Sequence, residues 1–231
     1  MKKIQSYNLL ILLACISMCT SNLCAKSISL NITQPSTFIT KRDLAVKSIK
    51  VSGVVNKKTI YTLFTLYPNV ENIDLLNTKI VSFTDENKVF CPKNEMPAGA
   101  FSKKQKLKLV ILPRGAVKIG QGAFWSCTNL EKIVLPGSLQ VIDKFAFQLC
   151  SRLKQITLPK SVIFLGGASF ANCESLLTIA CMSKTPPLMP EWSPFSESTS
   201  NNCIIYVPVE AIKNYKEIPF LKSFKIHSLN K

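Results

Sequence analysis

One unvarying interval governs the middle of the chain. The run Leu107-Lys-Leu-Val-Ile-Leu-Pro113 returns as Leu130-Glu-Lys-Ile-Val-Leu-Pro136 and as Leu153-Lys-Gln-Ile-Thr-Leu-Pro159, and a fourth start, Leu176-Leu-Thr-Ile-Ala-Cys181, follows without a slip in register. A second landmark keeps the same step: Gly122-Ala-Phe124 with Cys127, Phe145-Ala-Phe147 with Cys150, and Ala168-Ser-Phe170 with Cys173. A single compact globule has no reason to repeat Leu, Pro, Phe and Cys at one interval. A period of about 20 to 50 residues is what a solenoid requires, because each unit buries its apolar face only against its neighbours.

Within one unit, Leu130, Ile133 and Leu135 fit a short strand, with Lys132 and Val134 on its other face. Pro136 ends it, having no N–H for the ladder. A second apolar run (Val117 to Ile119, Val141 to Ile142, Ile163 to Leu165) predicts an opposite wall, followed by one tight helical turn that carries Phe124, Phe147 and Phe170 inward. The expected fold class is an α/β repeat, mostly short strands with single helical turns, stacked as aliphatic rungs beside a Phe ladder.

The flanks depart from the period as solenoid ends must, since their outer faces meet water. Residues 26 to 43 are polar with Pro35 and read as a flexible lead-in. Val46 to Val51 predicts a strand. Asn56 can cap a helix whose Ile60, Leu63, Phe64 and Tyr67 share one stripe and which Pro68 stops, so residues 26 to 69 are expected as lead-in and strand-helix cap. A degenerate first coil follows, with Val70, Ile73 and Leu75 in the strand, Ile80 in the second wall and Phe101 as landmark. Residues 84 to 97, with Cys91, form a polar insertion, either a binding loop or a tolerated surface loop. The repeats span residues 70 to 181 as about four coils, and residues 182 to 231 form a β/α cap with Ile204 to Val207 as a strand and Trp192 and Phe195 as plugs.

The stretch from Met1 to Ala25 stands apart. Met1-Lys-Lys is a basic start, Leu9 to Cys19 an apolar run and Leu23-Cys-Ala25 a small-residue cleavage site, which together read as a secretory signal peptide. A rival reading takes Leu12-Leu-Ala-Cys15 as a lipobox, leaving Cys15 acylated as a lipid anchor. Both take the chain out of the cytoplasm. Three of the nine cysteines fall in this leader. Of the remaining six, Cys127, Cys150 and Cys173 read as buried ladder thiols whose side chains point the same way, while Cys181 and Cys203 are left open as a pair. Net charge is +16, or +14 without Lys2 and Lys3. The lysines are scattered with no aromatic-basic platform, which argues against a nucleic-acid partner and for salt-sensitive attraction to anionic surfaces.

The Leu-x-x-Ile-x-Leu-Pro start, the Ala-Phe plus Cys landmark and the constant step from Leu107 to Leu130 to Leu153 resemble the BspA-like leucine-rich repeats over roughly residues 44 to 228. Thr185-Pro-Pro187 and Tyr206-Val-Pro208 are similar to the ending common in that family. Where the commoner leucine-rich consensus has Asn or Cys after the strand, this chain has Gly115, Ser138 and Ser161, so no asparagine ladder is expected. The resemblance implies a leucine-rich-repeat solenoid and a cell-surface or extracellular protein, with adhesion to host matrix proteins, host cells or other bacteria.

No constellation for chemistry emerges. His227 is the only histidine, which excludes a Ser-His-Asp triad or a His-rich metal site and leaves only a remote Cys-His hydrolase. No phosphate-binding glycine loop occurs, and neither cofactor nor metal is expected. The outward strand positions remain: Leu109 and Ile111, Lys132 and Val134, Gln155 and Thr157, then Thr178 and Ala180. Leu109, Ile111 and Val134 would form an exposed apolar strip beside Lys132, a candidate contact for a protein partner. The competing reading is a structural envelope component without a dedicated ligand.

Overall fold

The structure is a computed structural model that describes residues 26–35, 41–189, 192–200 and 202–229. Residues 1–25, read from the sequence as a leader and containing Cys15, lie outside the described residues.

The chain opens with three long strands, β1 (Lys26–Ile32), β2 (Val46–Val55) and β3 (Asn72–Ile80). A small antiparallel hairpin, β4 (Phe83–Thr84) and β5 (Phe90–Cys91), leads to β6 (Glu95–Met96). The period then takes over. β7 (Leu109–Ile111) and β8 (Lys118–Ile119) belong to one coil, β9 (Lys132–Val134) and β10 (Val141–Ile142) to the next, and β11 (Gln155–Leu158) and β12 (Phe164–Leu165) to a third. β13 (Thr178–Cys181) opens the fourth, and β14 (Ile204–Val207) and β15 (Lys225–Ser228) close the chain.

These strands stack into two parallel walls. The main wall runs β1-β2-β3-β7-β9 and continues as β11-β13-β14-β15, with β9 beside β11. The second wall is β6-β8-β10-β12, built from the shortest strands of the coils. The expected single helical turn is realised as linked β-turns that form a third bonded layer. Every second N–H reaches the next coil: Gly122 to the Lys144 carbonyl at 3.0 Å, Phe124 to Ala146 at 2.8 Å, Ser126 to Gln148 at 2.8 Å. The N–H groups between them close local turns, as Ala123 does to Gly120 at 3.1 Å. A helix would have kept all these bonds within one coil. The switch is made by pairs of left-handed residues, Gly122 and Ser126, Phe145 and Leu149, Ala168 and Asn172, with φ between 54° and 63°. For the five that are not glycine this conformation costs about 1 kcal/mol each, offset by bonds that tie coil to coil.

Between the walls the period becomes columns of buried side chains. Leu107, Leu130, Leu153 and Leu176 form one, and Val110, Ile133, Ile156 and Ile179 another. The Phe ladder holds as expected: Phe101, Phe124, Phe147, Phe170 and Phe195 stack with centroids 4.8 to 5.8 Å apart and planes within 16°. Edge-on rings close it, Phe64 on Phe101 and Phe224 on Phe195. Phe64 belongs to helix α1 (Lys57–Leu66), which buries Ile60, Leu63 and Phe64 and starts where the Asn56 side chain accepts the Thr59 N–H at 2.9 Å. Two short helices, α2 (Glu197–Ser200) and α3 (Ile212–Lys216), lie in the C-terminal segment.

Three further expectations change, and one open question closes. The polar start at Lys26 is a strand, because Ile28, Leu30 and Ile32 alternate and pair in register with β2. Ile80 does not enter the second wall. β3 runs on to it beside Val55, and Met96, carried back by the insertion, takes the second-wall position next to Ile119. Trp192 is no plug: it is 58% exposed, lying over Gly167, with Lys144 Nζ 5.7 Å from its ring. Cys181 and Cys203 do not pair; all six cysteines among the described residues are free and buried.

Candidate functional site

The outward residues of the main wall are fixed by the strand register. Leu109 stands between Asn72 and Lys132, and Ile111 between Asp74 and Val134. Gln155 pairs with Thr178 and Thr157 with Ala180, followed by Ile204 and Tyr206, then Lys225 and His227. The six positions singled out in the sequence therefore share one face of consecutive coils, two per strand. Leu109, Ile111, Lys132 and Val134 are half-buried, and Gln155 and Thr157 are exposed. The apolar strip is thus less open than expected, because strands about 4.8 Å apart shield one another's side chains.

A row of charges borders this face just before the strands. Glu71 bridges two coils, 2.9 Å from Lys47 Nζ and 2.7 Å from Lys108 Nζ. Hydrogen bonds from Lys108 and Lys47 hold its carboxyl below the ordinary carboxylate range. Glu131 stands one coil on, its N–H bonded to the Lys108 carbonyl. The border alternates in sign, so it pins register rather than presenting one charge.

Sequence reasoning missed the C-terminal half of the face. Ile204 and Tyr206 are half-buried in it, and the Tyr206 ring lies 6.0 Å from His227. Their alternation with buried Ile205 and Val207 is visible in the sequence. However, the step from Thr178 to its partner Ile204 is longer than the regular period, so the period alone cannot align them.

The cysteines form a structural column. Cys127, Cys150 and Cys173 donate through Sγ to the carbonyls of Phe101, Phe124 and Phe147 at 3.0 to 3.2 Å, and the Thr199 hydroxyl does the same to Phe170 at 3.0 Å. Burial pushes the Cys127, Cys173, Cys181 and Cys203 thiols up to about 12, and Cys150 well above its ordinary value. A thiol held neutral is a poor nucleophile. His227, the candidate base, is exposed on the outer face while the thiols face the core. Among the described residues no cluster of three or more His, Cys, Asp or Glu could hold a metal ion, and no helix is long and apolar enough to cross a membrane.

Comparison with known proteins adds the following. Residues 93–201 match the BspA type leucine rich repeat region in 6 copies. The chain is similar to the solved leucine rich repeat protein of T. pallidum, at 25% identity over 58% of this chain and 64% of that one, TM-score 0.45. It is similar to a leucine-rich repeat protein from Bacteroides capillosus at 31% identity, covering 43% and 71%, TM-score 0.35. A leucine rich cell surface protein from Faecalibacterium prausnitzii is 16% identical, with 80% and 55% covered and a TM-score of 0.48. The chain thus spans just under two thirds of the T. pallidum protein, 64%. No curated protein matches.

Proposed function

We infer that this chain, whose residues 93–201 match the BspA type leucine rich repeat region, is an exported, surface-displayed binding protein that recognises another protein through the outer face of its main wall, as an adhesin does. The partner class is a host extracellular-matrix or cell-surface protein, or a surface protein of another bacterium. Binding rather than catalysis is the reading because burial holds the thiols from Cys127 to Cys203 neutral, while His227 is exposed on the outer face.

One observation carries the assignment. Leu109, Ile111 and Val134 stand side by side on adjacent strands with Lys132 beside them, an apolar block flanked by Asn72, Asp74, Gln155 and Thr157. Apolar groups gathered at the centre with polar groups around them are the composition of an interface core and rim. Size supports it as well. Five strands followed by four, at about 4.8 Å each, give a wall on the order of 40 Å wide, roughly twice what the repeated coils alone provide and closer to the roughly 800 Å² per partner of a standard interface.

The test is capture of host matrix and surface proteins by the chain lacking Met1–Ala25. Ile111→Asp with Val134→Asp puts two charges at the centre of the block without touching the buried columns, so the fold should survive while capture falls at least about tenfold. Undiminished capture by this variant would rule out the outer face. Export itself is tested by the mass of the mature N-terminus, which distinguishes cleavage after Ala25 from a lipid on Cys15.

A further inference from the structure

β3 outruns its neighbour. It pairs with β2 to Ile80, but with β7 only as far as Asp74 opposite Ile111. Beyond that point the chain of the next coil turns away at Pro113, while the insertion returns on the other side at Lys93 and Asn94. The space between them stays open as a cleft of about 680 Å³, within the range that takes a few side chains of a ligand.

The floor of the cleft is aliphatic and strand-like, with Leu76, Ile80 and Val81 along one side and Pro113 along the other. Two β3 carbonyls on this edge are taken by neighbouring loops: Leu76 accepts the Arg114 N–H at 3.3 Å and Ile80 the Asn94 N–H at 2.9 Å. By the alternation of a strand, Thr78 presents its main-chain groups to the same edge, midway between them. Three cations stand around this floor, Lys79, Lys93 and Arg114, all exposed, and no carboxylate among the described residues lines it. Nearby cations on other elements have carboxylate partners, Lys57 with Asp85 and Lys118 with Asp143. Three like charges around a low-dielectric hollow focus a positive potential that an anionic ligand relieves.

We propose that this cleft is a second binding site, distinct from the outer face, and that it takes a short acidic peptide segment of a partner protein. The carboxylates would pair with Lys79, Lys93 and Arg114, and an aliphatic side chain would lie on Leu76 and Val81. A peptide fits better than an acidic polysaccharide, because no aromatic ring among the described residues lines the cleft for a sugar face to stack on. The site does not depend on the outer-face reading, and different variants test the two.

The experiment titrates the chain lacking Met1–Ala25 into a short fluorescein-labelled peptide alternating Asp and Val, followed by anisotropy, with amide hydrogen exchange on the complex. Lys79→Glu, Lys93→Glu and Arg114→Glu are combined in one variant; all three side chains are exposed, and an unchanged melting temperature certifies its fold. The variant should bind at least about tenfold more weakly, wild-type exchange should slow in the segments that line the cleft, residues 76–82 and 93–94, and the Ile111→Asp, Val134→Asp variant should bind like wild type. The proposal is overturned by absence of binding to the wild-type chain, by equal binding to the triple variant, by loss of binding in the outer-face variant, or by preference for heparin over the peptide at this cleft.

Discussion

Ser169 stands in the column that Ala123 and Ala146 fill in the two preceding coils, is 0% exposed, and its hydroxyl has no hydrogen-bond partner. A buried hydroxyl left unsatisfied costs about 1 to 3 kcal/mol. Ser169→Ala should therefore stabilise the protein by about 1 kcal/mol and raise its melting temperature by roughly 2–4 °C; a lower melting temperature would mean that the hydroxyl is satisfied. The neighbouring column shows the opposite case, where polar groups are used throughout. Three thiols and then Thr199 donate to successive Phe carbonyls. At this scale the sequence was readable wherever the period held, since Leu, Ile, Phe and Cys recur at positions that turn out to be columns. Thr199 in the role of a thiol was not readable, because it falls beyond one period from Cys173, in a stretch with no landmark of its own.

The turns that carry the Phe ladder show how closely one element approaches the next. A Cβ built on Gly166 would lie 2.4 Å from the Lys144 nitrogen and 2.7 Å from the Asp143 carbonyl carbon, both main-chain atoms. The Gly166 N–H meanwhile bonds the Ile142 carbonyl at 2.8 Å, so the two coils cannot separate without losing it. Gly166→Ala should cost about 2–3 kcal/mol and lower the melting temperature by roughly 5–10 °C. Gly137→Ala serves as the control: a Cβ there meets nothing within 4 Å, and stability should stay within about 0.5 kcal/mol of wild type. What the sequence hid at this scale follows from the same closeness. β1 has no repeat partner to announce it, and the left-handed residues at Ser126, Leu149 and Asn172 share no residue type, since the hydrogen bond to the next coil rather than side-chain preference selects the conformation. Met96 lies one regular period before Ile119 and was missed because residues 84 to 97 read as one polar insertion, which left Ile80 as the second-wall residue; the cleft opens between that insertion and β3.

Across the whole molecule the buried thiols couple folding to pH. The five from Cys127 to Cys203 are raised by loss of solvation, four of them to about 12, from 9.0 when solvated. The folded state thus holds these protons more tightly than the unfolded chain. Their contribution is fully present below pH 9 and is lost as pH rises toward 12, each thiol removing up to about 1.4 kcal/mol per pH unit once the unfolded chain begins to ionise. Because each coil leans on the next through shared columns and hydrogen bonds, the loss should spread along the solenoid rather than stay local. Thermal unfolding followed by circular dichroism should show a melting temperature that is nearly flat from pH 7 to about 9 and falls steeply above it, with thiol reagents reacting only along that fall. Cys127→Ala, Cys150→Ala and Cys173→Ala together should melt lower at pH 7, through lost packing, yet decline less steeply above pH 9. Parallel alkaline slopes for the two proteins would separate the thiol column from the pH response and leave lysine and tyrosine ionisation to account for it.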